Sequence, residues 1–241
     1  MKKALSIIAV AAAILASSVS ANAQLVVTGG LTMSGTDYKG KEFNEIAENI
    51  NLYHAGIGFK SDLGLGFALQ PTILYQVKGA NLSQTIASVE AGSTAADVTN
   101  TMETKTGYVE GTLGIQWGLD LLMFRPYIFA EPFVGYAITG EENFKGAATA
   151  SALGEAGVAT EDEDLNQMLE TTKNKLEYGF GAGIGLEFAG MVQLSAQYFM
   201  NLGNLYDNGK FDGEAKLQAV KDSYKDLTNY SGIKVSIAIL F

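Results

Sequence analysis

The chain offers few groups that do chemistry. Its 241 residues include one histidine, His54, one arginine, Arg125, and no cysteine. Thiolate metal sites and disulfide scaffolds are thereby excluded, and a multi-histidine metal centre is disfavoured. Nothing in the sequence asks for a cofactor. His54 has two readings. With Ser34, expected at similar height on a neighbouring strand, it could form a Ser–His pair for acyl transfer to, or hydrolysis of, a lipid. That chemistry needs hydrogen-bond reach and a third group to orient the ring. Otherwise His54 is a hydrogen-bonding histidine near the outer rim. A second set is ionic: Lys60, Lys78, Glu110, Glu131, Glu177, Glu187 and Lys234 share one side of the alternating runs set out below, with Tyr108, Tyr127, Gln76 and Gln116. Buried charge is costly unless paired. The set therefore reads as a plug of ion pairs, or as a narrow path for ions or solutes. A third candidate is Glu161-Asp162-Glu163-Asp164. It lacks the spaced D-x-D-x-D-G of a calcium loop. It reads as a solvated acidic face, or as a bridge through divalent cations to anionic lipopolysaccharide.

These residues need elements to position them, and the address of the chain comes first. Met1-Lys2-Lys3 is a short basic segment, Ala4 to Ala16 is uncharged and mostly apolar, and Ala21-Asn22-Ala23 is a small-x-small site. Together they predict a signal peptide over residues 1–23, cut before Gln24. The apolar run is shorter than the ~20 residues of a membrane-spanning helix. No later stretch is apolar enough for one. The net charge of -10 and the single arginine argue against a nucleic-acid footprint.

From residue 24 onward the sequence has a period of two. In 177–188 one face reads Tyr178, Phe180, Ala182, Ile184, Leu186 and Phe188. The other reads Glu177, Gly179, Gly181, Gly183, Gly185 and Glu187. A strand separates these faces, whereas a helix would mix them. The last run sets Ile233, Val235, Ile237, Ile239 and Phe241 against Lys234, Ser236 and Ala238. The pattern predicts strands near 24–34, 51–61, 66–79, 105–117, 125–139, 175–188, 191–201 and 229–241. They are long for globular strands and suit membrane-crossing ones, which need ~9–11 residues in lipid. The connections alternate between short (62–65, 118–124, 189–190) and long (35–50, 80–104, 140–174, 202–228), as in outer-membrane barrels with short periplasmic turns and long outer loops.

Only helices and closed barrels satisfy every backbone group in lipid. The expected fold is therefore all-β: an eight-stranded antiparallel up-and-down transmembrane barrel over residues 24–241. Glycines on its inner face would leave room in a narrow lumen. Tyr53, Phe59, Phe67, Tyr75, Trp117, Tyr136, Tyr178, Phe188 and Phe241 would face outward, several at girdle heights. Pro71 and Pro132 fall inside strands, where bulges or shear points are expected. The long connections are acidic and hold amphipathic stretches in 42–50, 160–169 and 214–227 that could form short helices over the barrel mouth.

Several segments carry a family resemblance. Gln70-Pro71-Thr72-Ile73-Leu74-Tyr75-Gln76-Val77-Lys78-Gly79 resembles the "QPELLYSQKG" strand of PorT-like outer-membrane barrel proteins, a group also labelled porin-family or OmpX/OmpA-like. Arg125-Pro126-Tyr127-Ile128-Phe129-Ala130 with Gly135-Tyr136 is similar to its "KPYVFAGPYLGY". Phe180 to Gly185 resembles "FGLVFGAGIEL", and Gln197-Tyr198 with Gly203-Asn204 resembles "RYNYGLTN". The chain departs from the family at Gln197, where an arginine is usual, and at Glu131, where glycine is preferred. The resemblance implies the barrel fold. It also implies an assembly signal in the C-terminal strand ending at Phe241, read by the barrel-assembly machinery.

The function expected is a non-enzymatic outer-membrane barrel with a structural or surface-binding role. Its partners would be outer-membrane lipid, lipopolysaccharide and a surface ligand at loops 140–174 and 202–228. A narrow pore, an accessory barrel of protein secretion and a lipid-modifying enzyme are the alternatives.

Overall fold

The alternation of apolar and polar positions is realised as strands in a computed structural model, which describes residues 23–38, 50–86, 98–148, 175–203 and 227–241. The strands are β1 (Gln24–Tyr38), β2 (Ile50–Gly64), β3 (Phe67–Ile86), β4 (Val98–Gly118), β5 (Phe124–Ala148), β6 (Leu176–Phe188), β7 (Val192–Asn201) and β8 (Leu227–Leu240). Each is antiparallel to its sequence neighbour, and β8 returns to β1, so the sheet is a closed eight-stranded barrel. Closure removes both edges, the condition for a sheet to cross lipid. The seam is finished by the last residue: Phe241 N donates to Leu25 O at 2.9 Å and Leu25 N donates to Phe241 O at 3.0 Å. No helix of the described residues is long and apolar enough to cross a membrane, which leaves strand crossing unaffected.

All eight expected strands are present, with two revisions. First, β3, β4 and β5 run well past their expected ends. Residues 78–86 pair with 98–106, and 98–106 pair with 140–148. The expected 25-residue loop over 80–104 is therefore largely a hairpin. The period of two continues there: Ala80, Leu82, Ile86, Val98 and Met102 fall on one set of paired positions, and Asn81, Ser83, Thr85, Thr99 and Thr101 fall on the other. Second, neither proline shifts the register. The ladder omits the β2–β3 pairs opposite Pro71 and the β4–β5 pairs opposite Pro132, then resumes in step. Each ring faces the gap with its missing donor and keeps its partner on the other side, Leu113 and Phe180 respectively. The actual shifts are at Thr36/Tyr38, Asp62/Gly64 and Gly107/Tyr108.

The sides are as the alternation requires. Tyr53, Phe67, Trp117, Tyr178, Phe188 and Phe241 are exposed on the outer surface, and Phe59, Tyr75 and Tyr136 are partly so. The inner surface is polar and buried. The glycines of β6 stand opposite the largest inward side chains of β5: Gly185 pairs with Tyr127, Gly183 with Phe129 and Gly179 with Phe133. A Cβ on Gly185 would lie 2.2 Å from the Tyr127 ring, and one on Gly179 would lie 2.6 Å from Phe133. The Gly stripe is thus the complement of an aromatic stripe, and the two together fill the lumen.

The expected amphipathic stretches at 42–50, 160–169 and 214–227, and the acidic run Glu161–Asp164, lie essentially outside the described residues. Ile50 and Leu227 are the exceptions and begin β2 and β8.

Candidate functional site

Every charged residue expected inside the barrel is inside it. They are not spread evenly but gather at three heights, because strands of different register present their inward positions at the same levels.

At the long-connection end, Lys78 is fully buried and ion-pairs with Glu110 at 3.0 Å and Glu177 at 3.1 Å. It also donates to Asn201 Oδ1 at 3.3 Å, and Asn201 Nδ2 donates to Glu177 Oε2. The Lys78 ammonium lies 4.3 Å from the Phe133 ring centre, 5.1 Å from Phe199 and 5.4 Å from Tyr108. Tyr230 packs edge-on against Tyr108. One cation, two carboxylates and four rings close this end, and an ammonium over ring faces is attracted by their quadrupoles.

At mid-height, Lys234 Nζ donates to Glu131 Oε1 at 2.7 Å, and Gln197 Nε2 donates to the same oxygen at 3.1 Å. The two positions that depart from the family resemblance, Glu131 and Gln197, are therefore bonded to each other. His54 is here too, not near the rim. Its Nδ1 is 3.1 Å from Thr32 Oγ1 and its Nε2 is 2.9 Å from Ser236 Oγ. Ser34 is not its partner. The Ser34 hydroxyl is satisfied by the Gly79 backbone, at 2.8 Å to both its oxygen and its nitrogen. Ser34 pairs with Ile50 while His54 pairs with Gly30, so the two sit four residues apart along β1.

At the short-turn end, Lys60 bonds Asp62 at 2.9 Å and Glu187 at 3.2 Å. Glu187 accepts from Gln193 at 2.9 Å. Arg125 donates to Gln116 at 3.1 Å and to Gly66 O at 2.9 Å, and its Nε lies 3.5 Å from Asp120. Gln116 donates in turn to Gln70 at 2.8 Å.

Between the two ends lies a chamber of about 40 Å³, lined by His54, Gln70, Tyr127, Glu131, Gln197 and Lys234 among others. That holds a few water molecules. His54 and Ser236 face each other in it, with a hydroxyl rather than a carboxylate on the far side of the ring. The set can exchange protons along a hydroxyl–imidazole–hydroxyl chain. The chamber has no room for an acyl chain. No cluster that could hold a metal ion occurs among the described residues.

The site partners missed by sequence reasoning include Thr32, Arg125, Gln193, Asn201 and Ser236, with the cage rings Phe133, Phe199 and Tyr230. Alternation marks each as inward or outward. It does not say which inward residues share a height.

The family model "Outer membrane protein beta-barrel domain" matches residues 16–207. The chain belongs to this family. Among solved structures, it is similar to Neisserial surface protein A (10% identity, 91% of this chain and 97% of that one, TM-score 0.37). It is similar to Ail of Yersinia pestis (9% identity, 90% and 98%, TM-score 0.36) and to LpxR from Salmonella typhimurium (10% identity, 90% and 100%, TM-score 0.27). No curated protein sequence matches the chain significantly.

Proposed function

We propose that this member of the outer-membrane family is a closed, non-conducting and non-enzymatic barrel. It supports the envelope and presents its long acidic connections to a surface ligand or, through divalent cations, to lipopolysaccharide. The observation that carries the reading is the Lys78 cluster. A fully buried ammonium held by two carboxylates and an amide, with three rings over it, fills the lumen where an ion path would have to pass. Function is then left to the surfaces. An exported precursor with a signal peptide over 1–23, and assembly through the strand that ends at Phe241, belong to the same reading. So does a place in the Gram-negative envelope.

The test is conductance of the refolded chain in a planar bilayer, after heat-shifted gel mobility has confirmed folding. We expect silence from wild type. Reproducible steps from a folded barrel would make it a pore.

The His54–Ser236 pair gives a second reading, lipid modification. Expression in a Gram-negative host followed by lipid A mass spectrometry decides it. No mass change is expected, and a change lost in His54→Ala would make the barrel an enzyme.

A further inference from the structure

The short-turn end of the barrel is apolar where water is expected. Leu63 stands at the end of β2 and Leu65 in the turn after it, the turn after β4 carries Leu119, Leu122 and Met123, and the turn after β6 carries Met191. All six are exposed, and Leu65 and Leu122 are almost wholly so, at 94% and 107%. These two leucines also sit in left-handed backbone, at φ 56 and 53. Glycine, asparagine and aspartate suit that conformation and leucine does not. Turn chemistry alone would therefore not choose leucine here, and neither residue packs on the barrel. Their side chains have a use outside the molecule.

We propose that this end is seated in the lipid leaflet, with the leucine tips buried at the boundary between headgroups and acyl chains. Four observations favour lipid as the occupant. The apolar tips are continuous with the outer belt, through the ring of Phe67, Trp117, Phe124, Phe188 and Phe241. The two girdles also differ in kind. Toward the long connections the outward rings are mostly tyrosines (Tyr53, Tyr75, Tyr136, Tyr178 and Tyr198, with Phe180 among them), whose hydroxyls suit a wet interface, whereas toward the turns all are phenylalanine or tryptophan. On β5 the outward face runs without a charge from Phe124 to Ile138, longer than the ~9–11 residues that cross the hydrocarbon. Lastly, the acids at this end each have a basic partner: Asp62 is paired with Lys60 and Asp120 with Arg125, both bases reaching down from inside the lumen. An apolar surface whose exposed acids already have partners within the chain suits lipid better than a charged protein partner. The inference rests on family membership and the fold, and is independent of whether the lumen conducts.

The absence of cysteine makes the test clean. Leu65→Cys and Leu122→Cys carry an environment-sensitive fluorophore in barrels refolded into phosphatidylethanolamine–phosphatidylglycerol vesicles. Iodide quenching should be about threefold or more weaker than in the urea-unfolded protein, and shallow spin-labelled lipid should quench strongly, as expected for groups at that boundary. Quenching by iodide as strong as in the unfolded chain would overturn the proposal and leave a protein partner as the occupant. Because a label can draw a site into lipid, the double variant Leu65→Asn/Leu122→Asn provides an unlabelled measurement. Asparagine fits the left-handed backbone, so tips in water would make the variant as resistant to urea as wild type or more so. Tips in lipid lower its urea midpoint in vesicles. An unchanged or raised midpoint overturns the proposal.

Discussion

Lys78 shows how much one inward residue can decide. It bonds Glu110, Glu177 and Asn201 together, so this cluster of described residues has one more carboxylate than ammonium. The two kinds of truncation should therefore differ. Lys78→Met leaves two carboxylates facing each other out of water, and breaking a buried pair this way costs ~3–5 kcal/mol. Glu110→Gln removes the surplus charge and keeps a polar partner, so its cost should be well below that. Urea unfolding in vesicles, read by heat-shifted gel mobility, checks the order. Equal losses would mean that the cluster is held by packing of its rings and not by charge. Alternation marked seven charged lumen residues; it did not single out Arg125, an eighth, and it did not give their pairing. Lys78 and Glu177 are far apart in sequence, and only the register of β3 and β6 around the closed sheet brings them to one height.

At the scale of elements, β5 and β6 are built as a pair. Tyr127, Phe129 and Phe133 project into the lumen from β5, and the Gly stripe of β6 supplies the space they occupy. Gly185→Val would drive a side chain into the Tyr127 ring, and overpacking of this kind costs ~1–3 kcal/mol. Ala182→Val, on the exposed face of the same strand, should be near neutral. Urea midpoints of the two variants test this, and similar losses would show that β6 is sensitive to volume on either face. The Gly stripe was visible in the sequence as room on the inner face. Its partner stripe was not, because nothing local says which strand lies beside which inward ring.

For the whole molecule, the closed ladder is the main consequence of the fold. Every neighbouring pair of strands, β8–β1 included, is joined within the described residues, so the barrel closes without residues 149–174 or 204–226. Deletion of 151–172 with a short Gly-Ser bridge should leave the heat-shifted mobility and urea midpoint of the barrel nearly unchanged, as expected when every ladder bond between the described residues is kept. Surface binding would be lost under the function proposed above. A barrel that no longer folds would show that this connection is part of the fold and not an appendage to it.

The sequence by itself determined the barrel: eight runs of period two, short and long connections in alternation, and a polar inner face. Period two is a local property, and in lipid closure is the only way for such strands to satisfy their backbones. Tertiary structure alone decided three things. It placed His54 at mid-height with Thr32 and Ser236 instead of beside Ser34 at the rim, because stagger around the barrel, not sequence separation, sets height. It carried β3, β4 and β5 into residues expected as loops, because pairing with a neighbouring strand decides where a strand ends. It also set leucines in left-handed turns at one end of the barrel, an arrangement of backbone and exposure that no pattern of residue types contains.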